Sequence, residues 1–140
     1  MISARRAEGH ELARVATLRT EARDAARQMR GGAWLDEREA GSAIAVVGLI
    51  GSAVMGYALV ECAGAEANLV EIYTTPAARD VGVGHAVIVA SAAIAVASGC
   101  ARLVSHALPG DRATKNFFET HSMVARQIVV GRELTDAQRR

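Results

Sequence analysis

The run Arg79-Asp80-Val81-Gly82-Val83-Gly84 holds the residue types that cradle an anion. Two glycines let the backbone turn back on itself and come close to a ligand. The apolar stretch that follows, residues 83–98, reads as a helix, so its unpaired N–H groups and positive dipole end point into that loop. A phosphate or pyrophosphate is the natural occupant. The other chemically capable residues are less ordered in the sequence. His10, His85, His106 and His121 lack metal-ligand spacing, and no metal is expected. His85, at the helix start, either reaches the phosphates or is a solvated imidazole. Cys62 and Cys100 lie far apart, with neither CxxC spacing nor partner histidines, which predicts small buried thiols in a reducing, cytoplasmic compartment. No zinc, P-loop or catalytic-triad pattern stands out.

The elements that position this loop must come from one domain. A chain of 140 residues, 51% hydrophobic and 22% charged, buries a core without disulfides or metal. A net charge of +1 gives no general pull toward nucleic acid or an anionic membrane. The N-terminus has no apolar signal-peptide region. Residues 41–60 and 81–101 are uncharged and long enough to cross a bilayer. Gly48, Gly51 and Gly56 interrupt the first, and the second is mostly Ala, Gly and Ser, so both are expected to be core elements.

In chain order, residues 2–7 read as a short strand. Over 9–28, Leu12, Val15, Ala16, Leu18 and Ala22 recur at helical spacing. Arg19, Arg23 and Arg27 place like charges one turn apart on the polar face, which is either solvated or lines a groove. Gly31-Gly32 breaks the helix, and 33–40 reads as a short second helix anchored by Trp34. Residues 44–50 and 54–62 form a hairpin around Gly51-Ser52, and a third strand over 67–74 ends at Pro76. The helix over 83–98 is apolar almost all round, which predicts burial on more than one side, with Gly99 as its C′ residue. Strand 101–107 then closes a parallel βαβ unit. Asp111 caps a helix over 112–120, residues 124–131 read as a last strand, and the end of the chain is expected to fray. The whole is one α/β domain with a mixed, mainly antiparallel sheet flanked by helices.

This order of motifs resembles the GCN5-related N-acetyltransferases (GNAT superfamily). Arg79 to Gly84 fits their Arg/Gln-x-x-Gly-x-Gly/Ala signature for acetyl-CoA. Ile72-Tyr73-Thr74-Thr75-Pro76 is similar to the end of their fourth strand, and Val54-Met55-Gly56-Tyr57-Ala58 to their Val-x-Gly-Tyr-Ala third strand. Residues 111–123 match, at the same spacing, their Asn-x-x-Ala-x-x-Phe-Tyr-Glu-x-x-Gly-Phe segment. The resemblance spans essentially the whole chain.

It implies that the fourth and fifth strands splay apart and take the pantetheine arm of acetyl-CoA, paired with backbone near Ile72 and Thr74. It also implies that Arg79 and the backbone of Val81, Gly82, Val83, Gly84 and His85 hold the pyrophosphate, with Asp111 and Phe118 beside the co-substrate. An amine acceptor then attacks the thioester directly. Such attack needs a base and, preferably, an acid for the leaving thiolate. Glu71, directly or through water, is the candidate base; its alternative is an exposed strand carboxylate. Tyr73 either orients the acceptor or packs. The family's leaving-group tyrosine falls on Phe118, which has no hydroxyl, and Asp80 adds negative charge beside the cradle. Asp36, Glu37 and Glu39, in the segment 30–39 that borders the acceptor site in this family, hint at a cationic amine. The chain after Ser122 is short for the usual two last strands, so the sheet ends in one strand or is completed by a partner chain in a homodimer.

Three functions remain open: an acetyl-CoA-dependent N-acetyltransferase, a non-catalytic CoA-binding or regulatory module of the same fold, and a nicotinamide-binding Rossmann unit. The last has least support, because a meander precedes the glycine loop and no acidic residue follows at the ribose position.

Overall fold

The strands are apolar on both sides because both sides of the sheet are covered. The computed structural model describes residues 1–33 and 42–140. The five strands are β1 (Ile2–Arg6), β2 (Ile44–Ile50), β3 (Ala53–Ala63), β4 (Glu66–Thr74) and β5 (Arg102–Val104), and they lie side by side in chain order. The first four are antiparallel, and β5 runs parallel to β4. Helix α1 (Leu12–Arg27) covers one face and α2 (Val83–Ala97) the other. Val46 and Val47, neighbours in β2, are both fully buried. Val46 packs with Val83, Val87 and Ile88 of α2, whereas Val47 packs with Val15 and Leu18 of α1. A third helix, α3 (Arg112–Thr120), lies beyond β5 and sends Phe118 into the α2-side core.

Two glycines bring α2 close to the sheet. Gly48 and Gly56 face each other across β2 and β3. A Cβ on Gly48 would stand 2.6 Å from Val87 Cγ2, and one on Gly56 would stand 3.2 Å from Val83 Cγ1. The helix therefore rests where side chains would otherwise stand.

One irregularity decides which way the middle of β4 faces. Leu59 pairs with Glu71 and Val60 with Leu69, leaving Val70 as an extra residue, a β-bulge. Ala67 and Leu69 pack on the α2 side, and strict alternation would send Glu71 there as well. The bulge instead puts Glu71 on the same side as Val70 and turns Tyr73 there too, so that Glu71 bonds to α1.

Several sequence expectations are corrected. The strand expected over 101–107 is only Arg102–Val104. The strand expected over 124–131 is absent, and Ile128, Val129 and Val130 are 83%, 85% and 87% exposed. β-branched residues favour extended backbone, but a strand also needs a neighbour for its N–H and C=O groups. Helix α2 is not buried on more than one side, since Val89 and Val96 face outward. Cys62 and Cys100, distant in sequence, adjoin in space as free thiols, and burial, followed by the contact with Cys62, raises the Cys100 thiol. The expected helix over 33–40, with Trp34, Asp36, Glu37 and Glu39, lies outside the described residues save Ala33. Among the described residues, no helix is long and apolar enough to cross a membrane.

Candidate active site

β4 and β5 pair only at Glu66, Ala67 and Asn68, opposite Arg102, Leu103 and Val104. Beyond that point the strands part, and the β5-facing edge of β4 loses its strand neighbour. The Ser105 hydroxyl donates to the Leu69 carbonyl at 2.7 Å, covering the first group past the split. At the far end, Arg79 Nε donates to the Thr74 carbonyl at 3.1 Å. Between these points lies a cleft of about 670 Å³, well within the range of small-ligand sites. Its walls include Ile72, Thr74, Ala107, Leu108 and Phe117.

The glycine loop closes one end. Gly82 is the N-cap of α2 at φ +99°, a left-handed conformation that glycine adopts without strain. Asp80 also has positive φ, at +65°. Gly84 lies under the Phe117 ring, and a Cβ there would be 3.0 Å from Phe117 Cε1. Gly82, Gly84, His85, Arg79 and Asp80 all line the cleft. Val81 is half-exposed and Val83 is buried in the core, so what these two offer the loop is backbone.

Glu71 also borders the cleft, at the centre of a charge cluster. Arg19 Nε reaches both its oxygens, at 3.0 and 2.9 Å, and Arg23 stands 3.7 Å away. Tyr57 donates its hydroxyl to Glu71 Oε1 at 2.8 Å. Arg19 and Arg23 on α1 are thus drawn to one carboxylate from β4 instead of simply facing solvent, while Arg27 pairs with Asp24. Burial, and then the Glu71 charge, push the Tyr57 hydroxyl far above the usual phenol range. Tyr73 donates to Glu21 at 2.9 Å, and burial followed by this bond raises its hydroxyl too. The Arg79 guanidinium lies 5.6 Å from the Tyr73 ring centre.

Most of the residues expected at the site border one cleft: Glu71, Ile72, Tyr73, Thr74, Arg79, Gly82, Gly84, His85 and Asp111. Phe118 does not. It is 7% exposed, packed in the core, while its neighbour Phe117 faces the cleft. Asp111 accepts from the Thr114 backbone N–H at 3.0 Å and its hydroxyl at 2.6 Å, so its carboxylate caps α3 as expected. Sequence reasoning missed His121. Its Nε2 lies 3.0 Å from His85 Nδ1, and its Nδ1 lies 2.8 Å from the Phe117 carbonyl oxygen. Its position on the fourth residue after Phe117, one helical turn on, was the available signal.

The chain matches no family model and no curated protein. Its fold is shared with solved acetyltransferases. A protein described as a candidate acetyl transferase from Pyrococcus furiosus superposes at a TM-score of 0.77, with 16% identity, over 96% of this chain and 100% of that one. An aminoglycoside N-acetyltransferase in complex with CoA gives 0.72 and 15%, over 95% and 100%. An acetyltransferase from Trypanosoma brucei gives 0.70 and 18%, over 96% and 100%. At these identities the likeness establishes the fold, which is the GNAT-like one that the motifs imply.

Proposed function

We propose that the protein is an acetyl-CoA-dependent N-acetyltransferase acting on an amine. The observation that carries this is the split between β4 and β5, which opens a cleft ending at the glycine loop and the start of α2. An extended thioester fits such a shape: the pantetheine arm along the unpaired edge of β4 near Ile72 and Thr74, the pyrophosphate against the backbone of residues 81–85 and Arg79. Acetyl-CoA supplies the activated acyl group, and the acceptor amine attacks its carbonyl carbon as the thiolate leaves. Glu71, which borders the cleft, takes the ammonium proton, directly or through water. Tyr73 shapes the acceptor side.

Millimolar acetyl-CoA should raise the melting temperature in a dose-dependent way. An absent shift removes the proposal.

One observation favours a second reading, a CoA-binding regulatory module. Phe118 has no hydroxyl and is buried, while the hydroxyls of Tyr57 and Tyr73 are both held by carboxylates. None of the three stands ready to protonate a thiolate. CoA release across a broad amine panel separates the two: turnover supports the enzyme, and binding without turnover supports the module.

A homodimer belongs to the same proposal. β5 is a three-residue edge strand, and the exposed Ile128, Val129 and Val130 follow it in the chain. A second copy is the occupant that gives both a neighbour.

A further inference from the structure

The His85–His121 contact fixes where the protons of both rings must be. A carbonyl oxygen only accepts, so His121 Nδ1, 2.8 Å from the Phe117 carbonyl, carries a hydrogen. In the neutral ring, His121 Nε2 is then an acceptor. His85 Nδ1, 3.0 Å away, is therefore the donor. That leaves His85 Nε2 without a hydrogen in the neutral pair. Both rings line the cleft beside the glycine loop, with the Phe117 ring 4.5 Å from His121.

A phosphate oxygen is itself an acceptor and gains nothing from a bare nitrogen. One added proton changes this. Placed on His85 Nε2, it makes an imidazolium whose N–H donates outward while both inner bonds persist. An anion in the cleft gives that outward N–H an acceptor and a counter-charge. The other ionisable groups facing the pair do not supply the same switch. Arg79 donates to the Thr74 carbonyl, and Asp80 on the loop opposes an anion. Asp111 and His106 line the neighbouring wall, and Glu71 and Arg23 pair with each other.

We infer that His85 and His121 form a proton-linked phosphate contact: His85 donates to a phosphate oxygen of CoA once the pair takes up one proton, and His121 fixes the tautomer that makes this proton necessary. The inference rests on the CoA reading of the cleft. Imidazoles titrate near pH 6.5 in general. A group whose proton is held more tightly in the complex strengthens binding fully at low pH, and that strengthening is lost as pH rises through its value in the complex. Affinity therefore weakens with rising pH, up to about tenfold per unit where one proton is linked.

Calorimetry with dephospho-CoA, which keeps the pyrophosphate but lacks the titrating 3′-phosphate, tests this from pH 6 to 9 in buffers of different ionisation enthalpy. The wild type should take up close to one proton per ligand within that range. His85→Gln, whose amide always donates, should bind with no uptake and a flat profile. His121→Phe should free His85 to place its hydrogen on Nε2, losing the uptake while binding several-fold more tightly than wild type at pH 8.5. A purely structural His121 predicts weaker binding there instead. Uptake equal in wild type and His85→Gln, or absent from the wild type, overturns the inference and leaves CoA binding standing. If dephospho-CoA does not bind, the same series is run with a simple pyrophosphate diester, which also has no group titrating over this range. Uptake that His85→Gln removes then supports the proton link without the CoA reading, and no binding defeats both.

Discussion

Glu71 has two demands on the same pair of oxygens. They hold Arg19, Arg23 and Tyr57 together, and in the proposed reaction one of them receives a proton. The two roles leave different traces. Glu71→Gln should lower kcat about 100-fold, the usual size for a lost general base, with acetyl-CoA affinity unchanged in the same steady-state and binding measurements. A purely structural carboxylate gives a lower melting temperature with kcat intact. Tyr57→Phe should keep activity within a few-fold, because a hydroxyl raised this far does not surrender its proton near neutral pH; CoA release decides it. At this scale the sequence was legible where chemistry is local. The turn at Gly82 and Asp111 as a cap follow from residue type and spacing. Arg19 meeting Glu71 joins residues 52 apart, and His85 meeting His121 joins residues 36 apart. No periodicity within either segment encodes such pairs.

Among the elements, the start of α1 depends on a carboxylate with three donors. Arg5 contacts the Glu11 oxygens at 2.6 and 2.9 Å, and the Glu8 backbone N–H donates to Glu11 at 2.9 Å. The Arg5 bond first, and then the Glu8 backbone bond, hold the Glu11 carboxyl down at about 2. A carboxyl lowered on folding stabilises fully above its ordinary value near 4.5. That contribution is lost as pH falls through about 2. Thermal melts should therefore show part of the acid destabilisation between these limits missing in Glu11→Gln, which at pH 7 should melt roughly 5 °C lower. The glycines divide by cause. Gly48→Val drives a side chain into Val87 and should cost about 2 kcal/mol in denaturant melts. Gly82→Val meets only Ile2 Cδ1, at 3.8 Å, an ordinary contact, but has the wrong φ, so acetyl-CoA stabilisation should disappear while most of the fold's stability remains. Helix bounds were the most legible feature: 112–120 was read as it stands, because Asp111 and the apolar spacing act within a few residues. β5 and the absent strand at 124–131 were less legible, since pairing partners and not local preference set where a strand stops.

For the whole molecule, a single sheet covered on both faces explains why long uncharged runs occur without any helix fit to cross a membrane among the described residues. It also leaves one region unfinished, the outer edge of β5 with the exposed apolar residues 128–130. Light scattering should give the mass of two chains, and Ile128→Asp with Val130→Asp should return it to one while acetyl-CoA still raises the melting temperature. A single-chain mass for the wild type at all concentrations removes the dimer. The bulge at Val70 has a consequence of another kind. Substitutions elsewhere on β4 can change how strongly the cleft is charged, but they leave Glu71 facing α1. Deleting Val70 keeps Glu71 opposite Leu59 and facing α1, whereas a register that paired Val70 with Leu59 would turn Glu71 toward α2, into an apolar core. The charge cluster thus depends on the register of β4 against β3 as much as on its letters: the strand can lose the extra residue at 70, but it cannot take that residue into the ladder and keep Glu71 beside Arg19.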